Sequence, residues 1–197
     1  KKNPHSMGVW SSDSKTHVAT MDKGDFRNNE RSITLDRKDQ VSILFINDSG
    51  EKNFLKKNIA LLPGEVIDAS ILSKKELLAF LKKEVKDSRE KDIMLSLNLK
   101  ANMIKLSDPI IFGHAVRVYF EELFNKYGDL FKEIDVNVNN GFGDLLSDLK
   151  KLPSKKRTEI ENAIQRIYEQ GPDLAMVNSD KGITNLRVPS DVIIDAS

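Results

Sequence analysis

The chain has 197 residues, 39% hydrophobic and 31% charged, which is enough to form one domain with a buried core. Its 31 Lys and Arg residues nearly balance its 30 Asp and Glu residues, and the formal net charge of +1 excludes a strong field for attracting nucleic acid or an anionic membrane. The chain has no cysteine, so disulfides and thiolate metal sites are excluded. No apolar run approaches the roughly 20 residues that a membrane-spanning helix needs.

The first 40 residues are polar and contain turn signals such as Asn3-Pro4. Only the runs at 17–20 and 32–35 have the composition of short strands. The pattern therefore predicts an extended loop and strand segment over residues 1–40, followed by an α/β region over residues 41–197.

Regular structure is predicted from residue 41 onward. A strand at 41–46, a turn at 47–50 and a return strand at 53–61 together predict a β-hairpin. Another strand is predicted at 65–72, after the Pro63-Gly64 break.

A capping box begins the next helix. Ser73 and Glu76 have the S-x-x-E spacing, and an apolar stripe follows them. An apolar run at 93–99 then predicts a strand that ends on Lys100. The strand–helix–strand unit over 65–99 predicts a right-handed parallel crossover, which would place Lys100 where ligands of α/β sheets usually bind.

Three helices are predicted in the second half of the chain. The first covers 108–127 and has Gly128 as its stop signal, and the second covers 144–151. The third is long and charged and covers 154–170. A short buried strand is predicted at 174–177.

Lys100 and Lys105 follow the predicted strand, and the pattern allows two interpretations of them. Both can be exposed residues, or one can face a cleft where apolar neighbours lower a lysine pKa and prepare it for proton transfer. Asp191 and Asp195 would share one helix face, where carboxylates can bind a hard divalent cation. Asp191 instead suits a helix N-terminus. The pattern assigns no role to the histidines His5, His17 and His114.

Five segments carry long and specific motifs: NPHSMGVW at 3–10, DSKTHVATM at 13–21, LKANMIKLSDPIIFGHAVRVYF at 99–120, NNGFGDLL at 139–146 and LAMVNSDKGITNLRVPSDVIIDAS at 174–197. In this order they resemble the monomeric, bacterial-type NADP-dependent isocitrate dehydrogenases. The resemblance extends over nearly the whole chain, so it is a stronger guide to function than any single pattern above.

The resemblance implies an isocitrate/isopropylmalate dehydrogenase-like α/β fold, in which a sheet with flanking helices forms part of the substrate- and metal-binding domain. It selects Lys100, rather than Lys105, as the catalytic lysine and Asp195 as the ligand of Mg²⁺ or Mn²⁺. It implies the oxidative decarboxylation of isocitrate to 2-oxoglutarate with NADP, by a monomeric cytoplasmic enzyme of the tricarboxylic acid cycle.

The resemblance also implies that the chain is an internal piece of a longer enzyme, cut at both ends. It contains no counterpart of the isocitrate-binding loop, the coenzyme-binding region or the tyrosine acid, because none of its tyrosines matches that motif. We therefore expect the isolated chain to be inactive, and to self-associate through surfaces that truncation exposes.

Two alternatives remain open at this point. The chain can belong to another metal-dependent β-decarboxylating dehydrogenase that acts on a different 2-hydroxy acid. It can also be a non-catalytic binding or structural module, in which case Lys100 and Asp195 would be surface charges that do not face a common cleft.

Overall fold

The computed structural model describes residues 9, 11–97, 99 and 104–174. Their contacts divide the chain into two compact units. We call Met21–Leu77 the strand unit, and the described residues of Lys1–Thr20 and Leu78–Ser197 the helical unit. The described residues combine helices with two small sheets. None of the helices described here has both the length and the hydrophobicity of a membrane-spanning segment.

The strand unit contains two separate antiparallel strand pairs. Strand β1 pairs with β4, and β2 pairs with β3 in a hairpin whose register is interrupted on either side of Ile43. The elements are α1 (Phe26–Asn29), β1 (Arg31–Thr34), β2 (Asp39–Ile46), β3 (Lys52–Leu61) and β4 (Val66–Ala69).

The predicted hairpin is confirmed, and its turn shows why the chain reverses there. The Asn47 side-chain oxygen accepts hydrogen bonds from the backbone N–H groups of Ser49 and Glu51, at 3.1 and 2.9 Å. Gly50 has a φ of 80°, in the left-handed region that glycine enters at little cost. A local asparagine turn followed by glycine therefore sets the hairpin.

The predicted parallel crossover is wrong for the described residues. Strand β4 pairs antiparallel with β1, with Thr34 opposite Val66. Leu35 locks this pairing, because its N–H donates to the Glu65 carbonyl at 2.9 Å and its carbonyl accepts from Gly64 N–H at 2.7 Å. The apolar pattern identified a strand near 65–72, but it could not identify the strand's partner.

Helix α2 (Lys74–Lys91) begins at the predicted capping box. The Glu76 N–H donates to Ser73 Oγ at 3.4 Å, which satisfies one of the free donors at the helix start. At the other end Asp92 has a φ of 54° and the Ile93 N–H donates to the Ser88 carbonyl at 3.0 Å, a common way to end a helix.

The helical unit packs its remaining helices around one apolar cluster. These helices are α3 (Ser107–Tyr119), α4 (Glu121–Glu133), α5 (Phe142–Asp148) and α6 (Ser154–Gln170), with 3₁₀ turns at Val138–Asn140 and Leu149–Lys151. The buried cluster comprises Val116, Phe120, Leu123, Tyr127, Phe131, Val138, Leu145, Leu149, Ile160, Ala163 and Ile164. Helix α6 has the predicted bounds, and α5 lies close to its predicted position.

The single helix predicted over 108–127 is wrong, because the chain bends at Phe120 into two helices. The Phe120 ring is buried and stacks on Phe142, with centroids 4.4 Å apart. Acidic residues at the start of α4 favour a new helix there, because their charges meet its dipole. Gly128 does not stop this helix, since burial of its neighbours offsets the modest cost of an internal glycine.

The strand predicted over 93–99 is reduced to one isolated bridge in the described residues, in which Leu95 pairs with Leu174 in parallel. The run at 17–20 is not a strand, whereas the run at 32–35 coincides with β1. Short apolar runs do not distinguish a paired strand from an extended segment.

A close approach of α3 to the turn at Val138–Asn140 allows a stability prediction. A Cβ atom on Gly113 would overlap the Asn139 side-chain oxygen, so Gly113→Ala must displace that exposed side chain. We therefore expect Gly113→Ala to lose the gain of about 1 kcal/mol that alanine usually brings inside a helix. Gly128→Ala is the control, because nothing lies within 4 Å of its added Cβ, and it should be neutral or raise stability by up to about 1 kcal/mol. Urea unfolding of both variants measures the difference, and equal stability would contradict the close packing at Gly113.

Candidate functional site

The two predicted site residues, Lys100 and Asp195, lie outside the described residues. The structure describes residues 93–97 and 99 before Lys100, and on the side of Asp195 it describes the chain as far as Leu174. Leu95 and Leu174 form a parallel bridge, and the Leu95 N–H donates to the Asp173 carbonyl at 2.8 Å. The two segments therefore start side by side and run in the same direction, as strands do when their carboxyl ends share one sheet edge.

The start of α3 follows the lysine segment, as predicted. Ser107 begins the helix, and the Asp108 carboxyl group is buried in its first turn. The Ser107 Oγ lies 3.3 Å from Asp108 Oδ1. Lys105, the lysine that the resemblance did not select, is exposed in the preceding turn.

A second cluster of potential ligands lies in the helical unit, where the N-terminal segment contacts α2. His17, Glu84 and Asp87 each offer one ligand atom, and these three atoms lie within 4.8 Å of one another. His17 Nε2 is 3.5 Å from Asp87 Oδ2. The His17 Nδ1 is 2.8 Å from the Lys15 carbonyl oxygen, so the hydrogen bond orients the ring.

Lysines surround this cluster. Lys91 Nζ contacts Asp87 Oδ2 at 2.8 Å, and Lys83 Nζ contacts Glu84 Oε1 at 3.3 Å. The hydrogen bond from Lys91 is the main cause that lowers the pKa of Asp87, while partial desolvation opposes it and the neighbouring positive charges add to it. The arrangement can hold an ion pair with a protonated histidine or a divalent cation.

Sequence reasoning missed this cluster because His17 is far from Glu84 and Asp87 in the chain. Glu84 and Asp87 are three residues apart on a predicted helix, so their common face could have been recognised. The approach of His17 to that face depends on tertiary structure, and no local pattern indicates it.

A third cluster links α4 to α6. The Tyr127 hydroxyl donates to Glu159 Oε1 at 2.7 Å, and the ammonium groups of Lys126 and Lys156 lie 3.3 and 2.9 Å from the Glu159 oxygens. These contacts lower the pKa of Glu159 to about 2, with the hydrogen bond from Tyr127 as the largest cause. A groove of about 620 Å³ borders this cluster and is lined by residues that include Arg117, Phe124, Tyr127, Phe131, Lys132 and Lys156.

The groove does not form a converging set of ligands for one small molecule. Lys126 and Lys156 already contact Glu159 and lie over the Tyr127 ring at 4.8 and 5.0 Å from its centroid, and Lys132 contacts Asp129. These ion pairs and cation–π contacts therefore connect helices α4 and α6 and stabilise the fold.

Comparison with known proteins decides the family. The model of the monomeric isocitrate dehydrogenase family matches residues 1–197. The chain belongs to the monomeric isocitrate dehydrogenase family. The resemblance seen in the sequence motifs is thus confirmed.

Curated relatives in this family match the chain along its whole length. The chain is 52% identical to an NADP isocitrate dehydrogenase of Corynebacterium glutamicum, 49% to NADP isocitrate dehydrogenase 2 of Colwellia maris and 48% to an NADP isocitrate dehydrogenase of Azotobacter vinelandii. Each alignment covers 197 residues, all of this chain, and 26–27% of the relative. The chain therefore spans about a quarter of the length of these monomeric isocitrate dehydrogenases.

The Glu159 cluster yields a pH-dependent prediction. Because the folded-state pKa of Glu159 lies near 2, below the ordinary value of 4.5, its contribution to stability is present above about pH 4.5 and is lost as the pH falls towards 2. We expect Glu159→Gln to lower stability at neutral pH, and the difference from the unmodified chain to shrink over that interval. Added salt should reduce the difference, since the side chain is 43% exposed.

Urea unfolding at several pH values measures this effect. Glu161→Gln is a matched control, because Glu161 lies on the same helix, is exposed and forms a long ion pair of 3.7 Å with Arg157. A loss of stability in Glu159→Gln that does not change with pH would contradict the assigned role of Glu159. An equal loss of stability in the Glu161→Gln control would also contradict it.

Proposed function

We propose that this chain is part of an NADP-dependent isocitrate dehydrogenase that oxidatively decarboxylates isocitrate to 2-oxoglutarate. The match of all 197 residues to one enzyme family carries the proposal. The names of the relatives support the choice of NADP and isocitrate. Because the chain spans only about a quarter of those relatives, the activity is proposed for the longer parent protein.

The finer fold is part of the same proposal. We infer an isocitrate/isopropylmalate dehydrogenase-like arrangement, in which this chain forms part of the substrate- and metal-binding domain. The parallel bridge between Leu95 and Leu174 supports it, because it brings the segment before Lys100 beside the segment that continues towards Asp195. The monomeric state and cytoplasmic location of the parent rest on family membership alone.

Asp195 is the proposed ligand of the divalent metal. A carboxylate oxygen is the donor that Mg²⁺ and Mn²⁺ prefer, so the chemistry of this residue suits either ion. When bound, the metal would polarise the isocitrate hydroxyl group and stabilise negative charge on the substrate. Asp195 would hold its negative charge beside the cation throughout.

Lys100 is the proposed catalytic lysine. Oxidation of the isocitrate hydroxyl group gives a β-keto acid, which loses CO₂ and leaves an enolate. A lysine ammonium group beside the enolate oxygen stabilises the negative charge that develops there, and the same side chain can carry the proton that the hydroxyl group loses. The apolar residues before Lys100 favour this role, since a poorly solvated lysine transfers a proton more readily.

The last step of the reaction, protonation of the enolate, needs an acid. The three tyrosines of this chain are poorly placed to supply it. Burial raises the pKa values of Tyr119 and Tyr168 to about 12. The Tyr119 hydroxyl donates to the Pro172 carbonyl at 2.8 Å, and the Tyr127 hydroxyl donates to Glu159. These contacts support an acid from another segment of the parent, which would also supply most of the NADP site.

Substitutions in the full-length parent test the two assignments. Lys100→Met should lower kcat for isocitrate-dependent NADP⁺ reduction by about 10²–10⁴-fold, the usual range for a lost proton-transfer group. Lys105→Met is the matched control and should have little effect, because Lys105 is exposed. Asp195→Asn should raise the Mg²⁺ or Mn²⁺ concentration needed for half-maximal rate. Equal effects at the two lysines would refute the choice of Lys100.

A substrate screen with the same parent protein separates the proposed function from its rival. Isocitrate should give the highest kcat/KM among 2-hydroxy acids that carry a second carboxylate. A clear preference for another 2-hydroxy acid would establish a different β-decarboxylating dehydrogenase.

The isolated 197-residue chain should not reduce NADP⁺ with isocitrate and Mg²⁺, because the remaining substrate and coenzyme ligands are assigned to other segments of the parent. Steady NADPH production by the purified chain would contradict that division of the site. Self-association of the isolated chain stays a prediction.

A further inference from the structure

The orientation of His17 indicates a function that the proposed reaction does not use. A carbonyl oxygen can only accept a hydrogen bond, so the 2.8 Å contact with the Lys15 carbonyl requires the proton on His17 Nδ1. In the neutral ring Nε2 then carries a lone pair, and this lone pair faces Asp87 Oδ2 at 3.5 Å. Two acceptors that face each other need a proton or a metal cation between them.

The third group of the cluster, the Glu84 carboxylate, favours a metal over a proton. Glu84 and Asp87 are three residues apart on α2, and the Glu84 side chain is only 12% exposed. Their carboxylate oxygens and His17 Nε2 lie within 4.8 Å of one another. Ligand atoms about 2.0–2.2 Å from a shared ion lie roughly 3–4 Å apart, so small side-chain rotations bring the three into coordinating positions.

We propose that His17, Glu84 and Asp87 form a binding site for a divalent transition metal such as Zn²⁺ or Co²⁺, separate from the metal held by Asp195. One imidazole nitrogen and two carboxylate oxygens suit these ions better than Mg²⁺, which prefers oxygen ligands alone. Water would complete the coordination. The Nδ1 hydrogen bond to a backbone carbonyl is the contact by which metal-binding histidines are usually oriented.

The neighbouring lysines are compatible with this site. The Lys83 and Lys91 side chains are 73% and 46% exposed, so both ammonium groups can move into solvent at little cost. Lys91 and His17 both approach Asp87 Oδ2, so metal binding there requires Lys91 to move to the other carboxylate oxygen or into solvent. The ammonium group of Lys15 points elsewhere, to the Lys91 carbonyl at 2.8 Å.

The site would act as a structural clip. Residues 11–20 are exposed and form no helix or strand. Two side chains of this segment contact α2, because His17 lies 3.5 Å from Asp87 and the Lys15 ammonium group donates to the Lys91 carbonyl. A metal shared by His17 and α2 would fasten the segment to the helix. In that case His17, the histidine of the DSKTHVATM motif, would stabilise the fold and would take no part in the decarboxylation.

Cobalt spectroscopy of the full-length parent tests the proposal. Excess Mg²⁺ is added first to occupy oxygen-only sites, and Co²⁺ is then titrated while its visible absorption is recorded. We expect one Co²⁺ equivalent with the intense bands of four- or five-coordinate cobalt, displaced by Zn²⁺. His17→Ala should abolish the bands, and Glu84→Gln and Asp87→Asn should each weaken Co²⁺ binding by about tenfold or more.

Glu90→Gln is the matched control, because Glu90 is an exposed carboxylate on the same helix, pairs with Lys86 at 3.6 Å and lies outside the proposed site. It should bind Co²⁺ like the unmodified protein. Circular dichroism shows whether each variant is folded, and the two carboxamide variants preserve shape if His17→Ala does not fold. Equal Co²⁺ spectra in the unmodified protein and in a folded His17 or Asp87 variant would overturn the proposal and leave an ion pair only.

Discussion

Burial of one apolar cluster is the constraint on which the helical unit depends. The cluster draws side chains from α3, α4, α5 and α6, and its centre includes Leu123, Leu145 and Ile160, which are almost fully buried. The cluster includes Val116 on α3 and Ile160, Ala163 and Ile164 on α6, so it packs these two helices within one unit. The lysine segment precedes α3 in the chain, and the segment that begins at Leu174 follows α6.

The break between α3 and α4 lies within this cluster. Phe120 leaves helical geometry, with φ −99° and ψ 32°, and its buried ring stacks on Phe142 while Leu123 and Phe131 of α4 enter the cluster. The interruption costs little hydrogen bonding, because the Phe120 N–H still donates to the Val116 carbonyl at 3.0 Å. The Tyr119 hydroxyl then reaches Pro172, which connects the bend to the chain leading to Leu174.

Charged residues make the second kind of connection between elements. Glu159 on α6 contacts the Tyr127 hydroxyl group and Lys126 of α4, and also Lys156 of its own helix. Asp87 on α2 similarly receives Lys91 from its own helix and His17 from the N-terminal segment. Exposed ion pairs contribute little singly, but a carboxylate shared by several donors has a defined position, which is what a ligand site requires.

The sequence by itself determined those features that depend on neighbouring residues. The hairpin turn at Asn47, the capping box at Ser73 and the bounds of α6 follow from local hydrogen-bonding chemistry and periodicity. The motifs also identified the family, because long exact patterns are rare by chance, and the resemblance is the basis on which Lys100 and Asp195 are proposed as site residues. Tertiary structure alone decided the partner of β4, the bend at Phe120 and the approach of His17 to Glu84 and Asp87, since each depends on packing between distant segments that periodicity does not record.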